Sequence, residues 1–232
     1  ITAALGGLTA LTGLITALNA SPWMQPKPTP TTAPVVTPTA ASALAAGGLL
    51  VDDFSDASSG WEIALNDDYT LGYVDGAYRF KVVTTEYDVW SAPNTQPDLA
   101  DLSMEVEVQQ VAGPSEALYG LMVRVYPNDN FYLFAINGDR EYCAQRCEEG
   151  EYEVLIRWAS SRAIRPAGRV NRLRVDCLGA GMRFFVNDVE VCELIDNKHA
   201  SGGIGLLAST FEGDPLDVRF DNLQVRPLAR LQ

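Results

Sequence analysis

Hydrophobic and polar positions follow two different periods along this chain, and the change comes near residue 50. Residues 1–20 carry no charge and no proline, and their small residues recur every three or four positions. This spacing puts them on one face of an α-helix about 30 Å long, the thickness of a bilayer's hydrocarbon core. The pattern predicts one long apolar helix. Its small-residue face contains Ala3, Gly6, Ala10, Gly13 and Ala17, and its second apolar face contains Leu8, Leu11, Ile15 and Leu18.

A helix that is apolar on all sides must be buried on all sides. Small residues let helix backbones approach closely, so residues 1–20 fit the core of a bundle or filament built from copies of the chain. They also fit a membrane. The segment has no basic region and no cleavage motif of small residues, which favours a retained helix over a signal sequence.

Residues 21–48 have a composition that excludes helix. They contain six prolines, with threonines between them. Proline at this density favours extended polyproline II structure, which would reach up to roughly 80 Å over this length. The segment is therefore predicted to be a linker, either undecorated or O-glycosylated.

Beyond residue 48 the pattern changes to short runs in which apolar and polar residues alternate, which is typical of β-strands. In residues 102–108 the apolar positions alternate with Glu105 and Glu107, which we expect on the solvated side. Residues 187–188 and 179–181 predict tight hairpin turns. The pattern predicts one β-sandwich over residues 49–232. Its strands are expected at 77–84, 102–111, 117–126, 131–137, 152–158, 171–178, 182–186, 189–194, 204–210 and 216–225.

The charged residues are distributed as unevenly along the chain as the apolar ones. Lys27 is the one charged side chain before residue 51, while all thirty acidic residues and the other sixteen basic residues lie beyond it. The net charge of the chain is −13. So acidic a surface argues against binding nucleic acid, because phosphate contact requires clustered Lys and Arg. It also offers no basic patch for anionic lipid.

The four cysteines predict disulfides and an oxidising, extracellular compartment, because their number is even and they follow an apolar segment and a Pro/Thr-rich linker. Of the three connectivities, the favoured one joins Cys143 to Cys147 and Cys177 to Cys192. A zinc site is the rival interpretation. It is disfavoured because the chain has no CxxC pair and a single histidine, His199.

Three groups of residues carry a resemblance to a known family. They are 51–54 (VDDF) with 59–61 (SGW), 171–175 (NRLRV) with 185–188 (FVND), and 220–223 (FDNL). Through them, residues 49–226 resemble the concanavalin A-like, or laminin-G-like, jelly-roll domains of bacterial surface proteins, which Asp-Asp-Phe opens and Phe-Asp-Asn closes. The resemblance implies a jelly-roll β-sandwich. It does not imply one function, since this fold hosts lectins, glycosidases and interaction modules.

Enzymatic chemistry has little support in the sequence. Glycoside hydrolysis needs two carboxylates about 5–9 Å apart. Glu86 and Asp88 would share one face of a strand, but Trp90 and Ser91 follow where related glycosidases carry a third acid. His199 has no second histidine to support a Ser-His or Cys-His nucleophile. We therefore expect no enzyme.

Sugar binding is the more plausible chemistry, because sugar rings stack on exposed aromatic side chains in lectin-like sandwiches. The alternative for each aromatic is a place in the core between the sheets. The candidates are Trp90, Tyr119, Tyr132 and Trp158. No cofactor is required. Asp53 and Asp221, near the two ends of the domain, are candidate ligands for a structural calcium ion, with turn capping as the alternative.

These observations predict a non-enzymatic, extracellular protein of the cell surface. The leading hypothesis is a subunit of a pilus-like filament, in which residues 1–20 pack against their own copies and the sandwich faces outward. The layout resembles that of pilins, although Leu5 stands where type IV pilins carry an acidic residue. The alternative is a membrane-anchored, lectin-like protein that binds surface glycans.

Overall fold

The computed structural model describes residues 50–95, 98–126, 129–211 and 213–228. In these ranges the chain forms fifteen β-strands in two antiparallel sheets. The predicted mainly β sandwich is therefore confirmed. Within the described ranges no helix is long and apolar enough to cross a membrane. The predicted helix over residues 1–20 and the predicted linker over 21–48 lie outside these ranges.

The larger sheet has nine strands. They are β1 (Leu50–Asp52), β2 (Ala64–Leu65), β3 (Tyr69–Val74), β4 (Ala77–Val82), β6 (Leu102–Ala112), β11 (Asn171–Leu178), β12 (Gly181–Val186), β13 (Val189–Ile195) and β15 (Leu216–Pro227). Their order is β13-β12-β11-β6-β15-β4-β3-β2, with β1 also paired to β15. The long strands β6 and β15 thus form the centre of this sheet.

The smaller sheet has six strands. They are β5 (Val89–Ser91), β7 (Leu118–Tyr126), β8 (Asn130–Ile136), β9 (Glu141–Glu148), β10 (Glu151–Ser160) and β14 (Gly203–Ser209). Their order is β10-β9-β8-β7-β14-β5. The two edges of this sheet are therefore β10 and β5.

The core lies between the two sheets and is built from the alternation that the sequence shows. Leu102, Met104 and Val106 on β6 are completely buried, while Glu105 between them is partly exposed. Aromatic rings meet across the core, as where Phe134 of the six-stranded sheet lies 5.6 Å from Phe184 of the other. The interior is thus a two-layer core of the expected kind.

The motifs behind the family resemblance have structural roles. Asp52 is buried and accepts hydrogen bonds from the backbone amide of Phe54 (2.9 Å) and from Nε1 of Trp61 (3.0 Å). Asn187 and Asp188 form the predicted turn between β12 and β13, with φ angles of 50° and 67°. These residues maintain the fold, which explains why the motifs identify the sandwich without identifying a function.

A fully buried arginine connects three separate loops. Arg124 lies where the pairing of β7 with β8 is irregular, and its φ is 53°. Its guanidinium donates to the carbonyls of His199 (2.9 Å), Ala100 (3.2 Å) and Gly179. These carbonyls belong to the β13–β14 connection, the β5–β6 connection and the β11–β12 turn. One side chain therefore fixes one end of the sandwich.

The predicted disulfides are wrong, since all four cysteines are free thiols. Cys143 and Cys147 both lie on β9, and four residues of strand separate their Cα atoms by about 13 Å. Cys177 and Cys192 lie on β11 and β13 with β12 between them, about 10 Å apart at ordinary strand spacing. Both separations exceed the limit for a disulfide, about 7 Å. The cysteines therefore give no support to an oxidising compartment.

We expect Arg124→Met in the full-length chain to lower the free energy of unfolding by about 3–5 kcal/mol, because three part-buried hydrogen bonds from one charged donor are lost. Urea unfolding followed by tryptophan fluorescence measures this. The control is Arg169→Met at an exposed loop position, which should cost less than about 0.5 kcal/mol. Equal effects of the two substitutions would contradict the role given to Arg124.

The thiols should react slowly in the folded protein. Burial raises the pKa of Cys147, Cys177 and Cys192 to about 12 each and also raises the pKa of Cys143. Because the thiolate is the reactive form, a disulfide reagent at pH 8 should titrate few thiols in the folded chain. After denaturation without reductant it should titrate four. Fewer than four would mean that a disulfide exists.

Candidate functional site

The six-stranded sheet is apolar on the side that the larger sheet does not cover. Along β8, Tyr132 and Phe134 point into the sandwich core, whereas Phe131, Leu133 and Ala135 form a second apolar cluster on the opposite side. We call this side the outer face. Its buried residues are Leu118, Met122, Phe131, Leu133, Ala135, Cys143, Cys147 and Leu207, and its partly buried residues are Trp90, Val125, Tyr152 and Phe211.

The solvent side of the nine-stranded sheet is charged instead. Arg79 forms a two-pronged ion pair with Asp217 (2.9 and 2.5 Å), and Arg174 lies 3.5 Å from Asp176. Glu105 and Glu107 lie on this side, partly exposed, as predicted. The two sheets thus present chemically different surfaces.

A hydrogen bond across the outer face shows that the six-stranded sheet is rolled. The hydroxyl of Tyr152 on β10 donates to Asp88 Oδ2 (2.6 Å), and Asp88 immediately precedes β5. In a flat sheet of six strands the two edges would be about 24 Å apart, at about 4.8 Å per strand. A tyrosine and an aspartate together cannot span that distance. The sheet must curve until its edges approach each other, so the outer face is concave.

Two glycines in the strand interiors accommodate this curvature. At Gly120 on β7, an added Cβ would lie 2.1 Å from the carbonyl oxygen of Phe134 on the neighbouring strand. At Gly205 on β14, it would lie 3.0 Å from the carbonyl oxygen of Ser91. Glycine inside a strand marks such close backbone approaches. A larger residue at position 120 would push β7 and β8 apart.

Polar groups are few on the outer face, and they are buried. Asp88 has only 8% of its surface exposed, and burial raises the pKa of its carboxyl group, opposed by hydrogen bonds from Tyr152 and Ser209. Gln145 on β9 is 1% exposed, and its Oε1 has no hydrogen-bond partner among the described residues. Its Nε2 approaches only Cys143 Sγ, at 4.0 Å. An unpaired buried amide oxygen can accept a hydrogen bond from a ligand.

This combination is typical of a small-molecule binding site. Such sites are concave and mostly apolar, with a small number of well-placed polar groups. A buried carboxyl group with a raised pKa is a further mark of functional sites. The outer face therefore combines aromatic rings, those of Trp90 and Tyr152, with a buried acceptor, Gln145 Oε1.

The four predicted sugar-stacking residues have different positions. Tyr119 (1% exposed) and Tyr132 (0% exposed) lie in the sandwich core, the alternative position considered for each aromatic. Trp90 belongs to the outer face. Trp158 lies on the edge strand β10 and is exposed. The structure does not bring the four together.

The acidic residues considered for catalysis or calcium binding also occupy different positions. Glu86 is exposed whereas Asp88 is buried, and both precede β5, so they do not share a strand face. Asp53 and Glu107 do lie near Asp221: burial first, and then the charges of Glu107 and Asp53, raises the pKa of Asp221. Asp53 itself is exposed and accepts hydrogen bonds from Ser55.

In the described ranges, no group of three or more His, Cys, Asp or Glu side chains is arranged to hold a metal ion. A shallow cavity of about 190 Å³ beside Asp221 is lined by charged, polar and aliphatic side chains without an aromatic ring. His199 has its Nε2 3.3 Å from the carbonyl oxygen of Cys147, and its backbone amide donates to the Tyr132 hydroxyl (3.2 Å). These two contacts join His199, in the β13–β14 connection, to β8 and β9.

No family model matches this chain, and no curated protein matches it in sequence. Solved structures do match. The carbohydrate-binding module CBM66 from Bacillus subtilis is 17% identical, with a TM-score of 0.58, over 72% of this chain and 95% of that one. A Bacillus subtilis protein of unknown function with a galectin-like fold is 11% identical, with a TM-score of 0.61, over 78% and 96% of the two chains.

A β-glucanase from Bacillus licheniformis is also similar, at 10% identity and a TM-score of 0.56, over 79% of this chain and all of that one. At such identities these likenesses show the fold alone. They are consistent with the concanavalin A-like sandwich that the sequence motifs indicate.

The sequence indicated only part of this site. It identified Trp90 as a stacking candidate and considered Asp88 as a catalytic acid before rejecting it. It gave no role to Tyr152, Ser209 or Gln145. The one local signal was glycine within the apolar runs at 120 and 205, which suggests close backbone approach. The contact between Tyr152 and Asp88 joins residues 64 positions apart and has no local signature.

The charge on Asp88 should cost stability at neutral pH. Its folded-state pKa is raised, so its contribution to stability is greatest below the unfolded pKa of about 3.9 and is lost as pH rises through the folded value. We therefore expect Asp88→Asn, which keeps an acceptor oxygen for Tyr152, to raise the melting temperature at pH 7. Its advantage should shrink towards pH 4. If Asp88→Asn instead lowers the melting temperature at pH 7, and this loss disappears at pH 4, the charged carboxylate stabilises the fold and the prediction is wrong.

Proposed function

We propose that this chain is a non-enzymatic, extracellular protein that binds carbohydrate, and that the sugar contacts the outer face of the six-stranded sheet. The observation that carries this proposal is the concave, aromatic outer face with its unpaired acceptor, Gln145 Oε1. Aromatic side chains stack on the apolar faces of sugar rings, and buried amides bind their hydroxyls. Both elements meet on this face.

The comparisons support the same class of ligand. One similar structure is a carbohydrate-binding module and another has a galectin-like fold. Another is a β-glucanase, which makes a hydrolase the competing proposal. We favour binding without catalysis, because the buried Asp88 is engaged by Tyr152 and Ser209 and Glu86 does not accompany it on the same face.

The charges favour a neutral glycan. Asp88 adds a carboxyl group to the apolar residues of the outer face. The chain as a whole carries a net charge of −13. An anionic sugar would meet like charge, which costs binding energy. The proposed ligand is therefore an uncharged glycan.

The filament hypothesis depends on residues 1–20, which lie outside the described ranges. Its support is the repeated small residues at helical spacing in that segment. Self-assembly or membrane attachment through residues 1–20 is compatible with glycan binding by the sandwich. It stays a prediction from the sequence.

Trp90→Ala should weaken glycan binding about ten-fold or more, because loss of a stacked aromatic ring removes at least 1.4 kcal/mol, or about a factor of ten. A neutral oligosaccharide array with the full-length chain identifies the ligand, and titration calorimetry measures the affinity. Trp158→Ala, which removes an exposed tryptophan (36%) on the edge strand β10, is the comparison variant. Binding that depends on Trp158 and not on Trp90 would place the site elsewhere.

A further inference from the structure

The outer face is closed as well as concave. The side chains at its centre, such as Met122 (0% exposed) and Leu133 (1% exposed), are buried. Above them the hydrogen bond between Tyr152 and Asp88 joins the β10 edge to the residue that begins the β5 edge. A pyranose ring is several ångströms wide and cannot reach buried side chains beneath a closed pair of edges. Binding therefore requires the edges to separate.

The strands on the two sides of this contact differ in burial. Asp88 is hydrogen-bonded to Ser209 on β14 and precedes β5, whose Val89 and Ser91 are buried. Tyr152 lies on β10, which has no buried residue and pairs with β9 at seven positions with two register shifts; its ring packs edge-to-face on Phe131 at 5.9 Å. Most of β10 is exposed or partly exposed. Edge strands with irregular pairing and little burial open at low free-energy cost. The element that moves is therefore β10.

The unpaired Gln145 indicates what opening provides. Gln145 lies opposite Val154 of β10 in the strand register. In the closed state its Oε1 is buried with no donor among the described residues, which is unfavourable for a polar group. When β10 moves, a ligand hydroxyl can reach this oxygen and remove that cost. The closed state is thus less stable because of the same oxygen that a sugar hydroxyl would bind.

We propose that the hydrogen bond from Tyr152 to Asp88 is a latch that keeps the outer face closed, and that a glycan enters only when β10 moves away from it. This inference rests on the proposed glycan-binding function. If only a fraction of molecules has an open latch, the apparent affinity falls by that fraction. Weakening the latch should therefore strengthen binding, the reverse of what removing a ligand contact does.

The first test is Tyr152→Phe in the full-length chain, which removes the hydroxyl and keeps the ring. Hydrogen exchange of the backbone amides in β10, measured without ligand, should become about ten-fold faster, the effect of losing one hydrogen bond. The exchange of β7 and β8 should not change. The control is Tyr126→Phe, an exposed tyrosine whose hydroxyl contacts Ser201 at 3.3 Å. Unchanged exchange in β10 of Tyr152→Phe would overturn the latch.

The second test is binding of the neutral oligosaccharide selected on the array. Tyr152→Phe should raise its affinity by up to about ten-fold, mainly through faster association. Asp88→Ala releases the latch from the other side and should act in the same direction. The double variant should gain no more than the single ones, because both remove one interaction. Weaker binding by Tyr152→Phe would make the hydroxyl a ligand contact and would overturn the proposal.

The two proposals fail in distinguishable ways. If neither the parent chain nor any variant binds a sugar, the glycan function is wrong, and the exchange of β10 still decides whether Tyr152 and Asp88 hold the edges together. If the parent binds and Trp90→Ala does not, while Tyr152→Phe changes neither exchange nor affinity, the glycan site stands and the latch is wrong.

Discussion

The constraint on which most of this structure depends is that the six-stranded sheet is apolar on both faces. The larger sheet can cover only one of them, where residues such as Tyr132 and Phe134 pack. Rolling of the sheet removes apolar side chains of the other face from water, and apolar burial is the main favourable term in folding. Rolling needs close backbone approach at Gly120 and a contact between the edges, which Tyr152 and Asp88 supply.

A rolled sheet also needs fixed ends, and Arg124 supplies one of them. A buried guanidinium is costly unless its donors are satisfied, and here the carbonyls of three loops accept hydrogen bonds from its two terminal nitrogens, while Nε has no partner among the described residues. Two of these loops carry the chain between the sheets. Gly202, in one of them, lies against the backbone of Arg124, where an added Cβ would come within 2.6 Å of its carbonyl carbon. The connections that bring β14 and β6 into place thus depend on the same point.

The fold was largely predictable because most strands have one solvent-exposed face and one buried face, as β6 shows with Met104 buried beside the partly exposed Glu105. Prediction failed where that contrast is missing. β9 (EYCAQRCE) has Gln145 on a buried face, so its cysteines suggested a disulfide loop rather than a strand. The site was less predictable still. Sheet curvature creates it, and curvature arises from contacts between residues distant in the chain, whereas sequence periodicity reports only local geometry.

The difference between the two exposed sheet faces is the strongest reason to place the ligand on the six-stranded sheet. On the larger sheet, ion pairs such as Arg79 with Asp217 satisfy the charged groups among themselves, and surface pairs of this kind add little stability or specificity. The buried atoms left unpaired among the described residues of this face are donors, Arg174 Nε and Arg219 Nε. On the six-stranded sheet the unpaired atom is an acceptor, Gln145 Oε1, which has no partner among the described residues. Each such atom in a native structure requires an explanation, and an acceptor beneath a removable contact is what a ligand with hydroxyl groups can use.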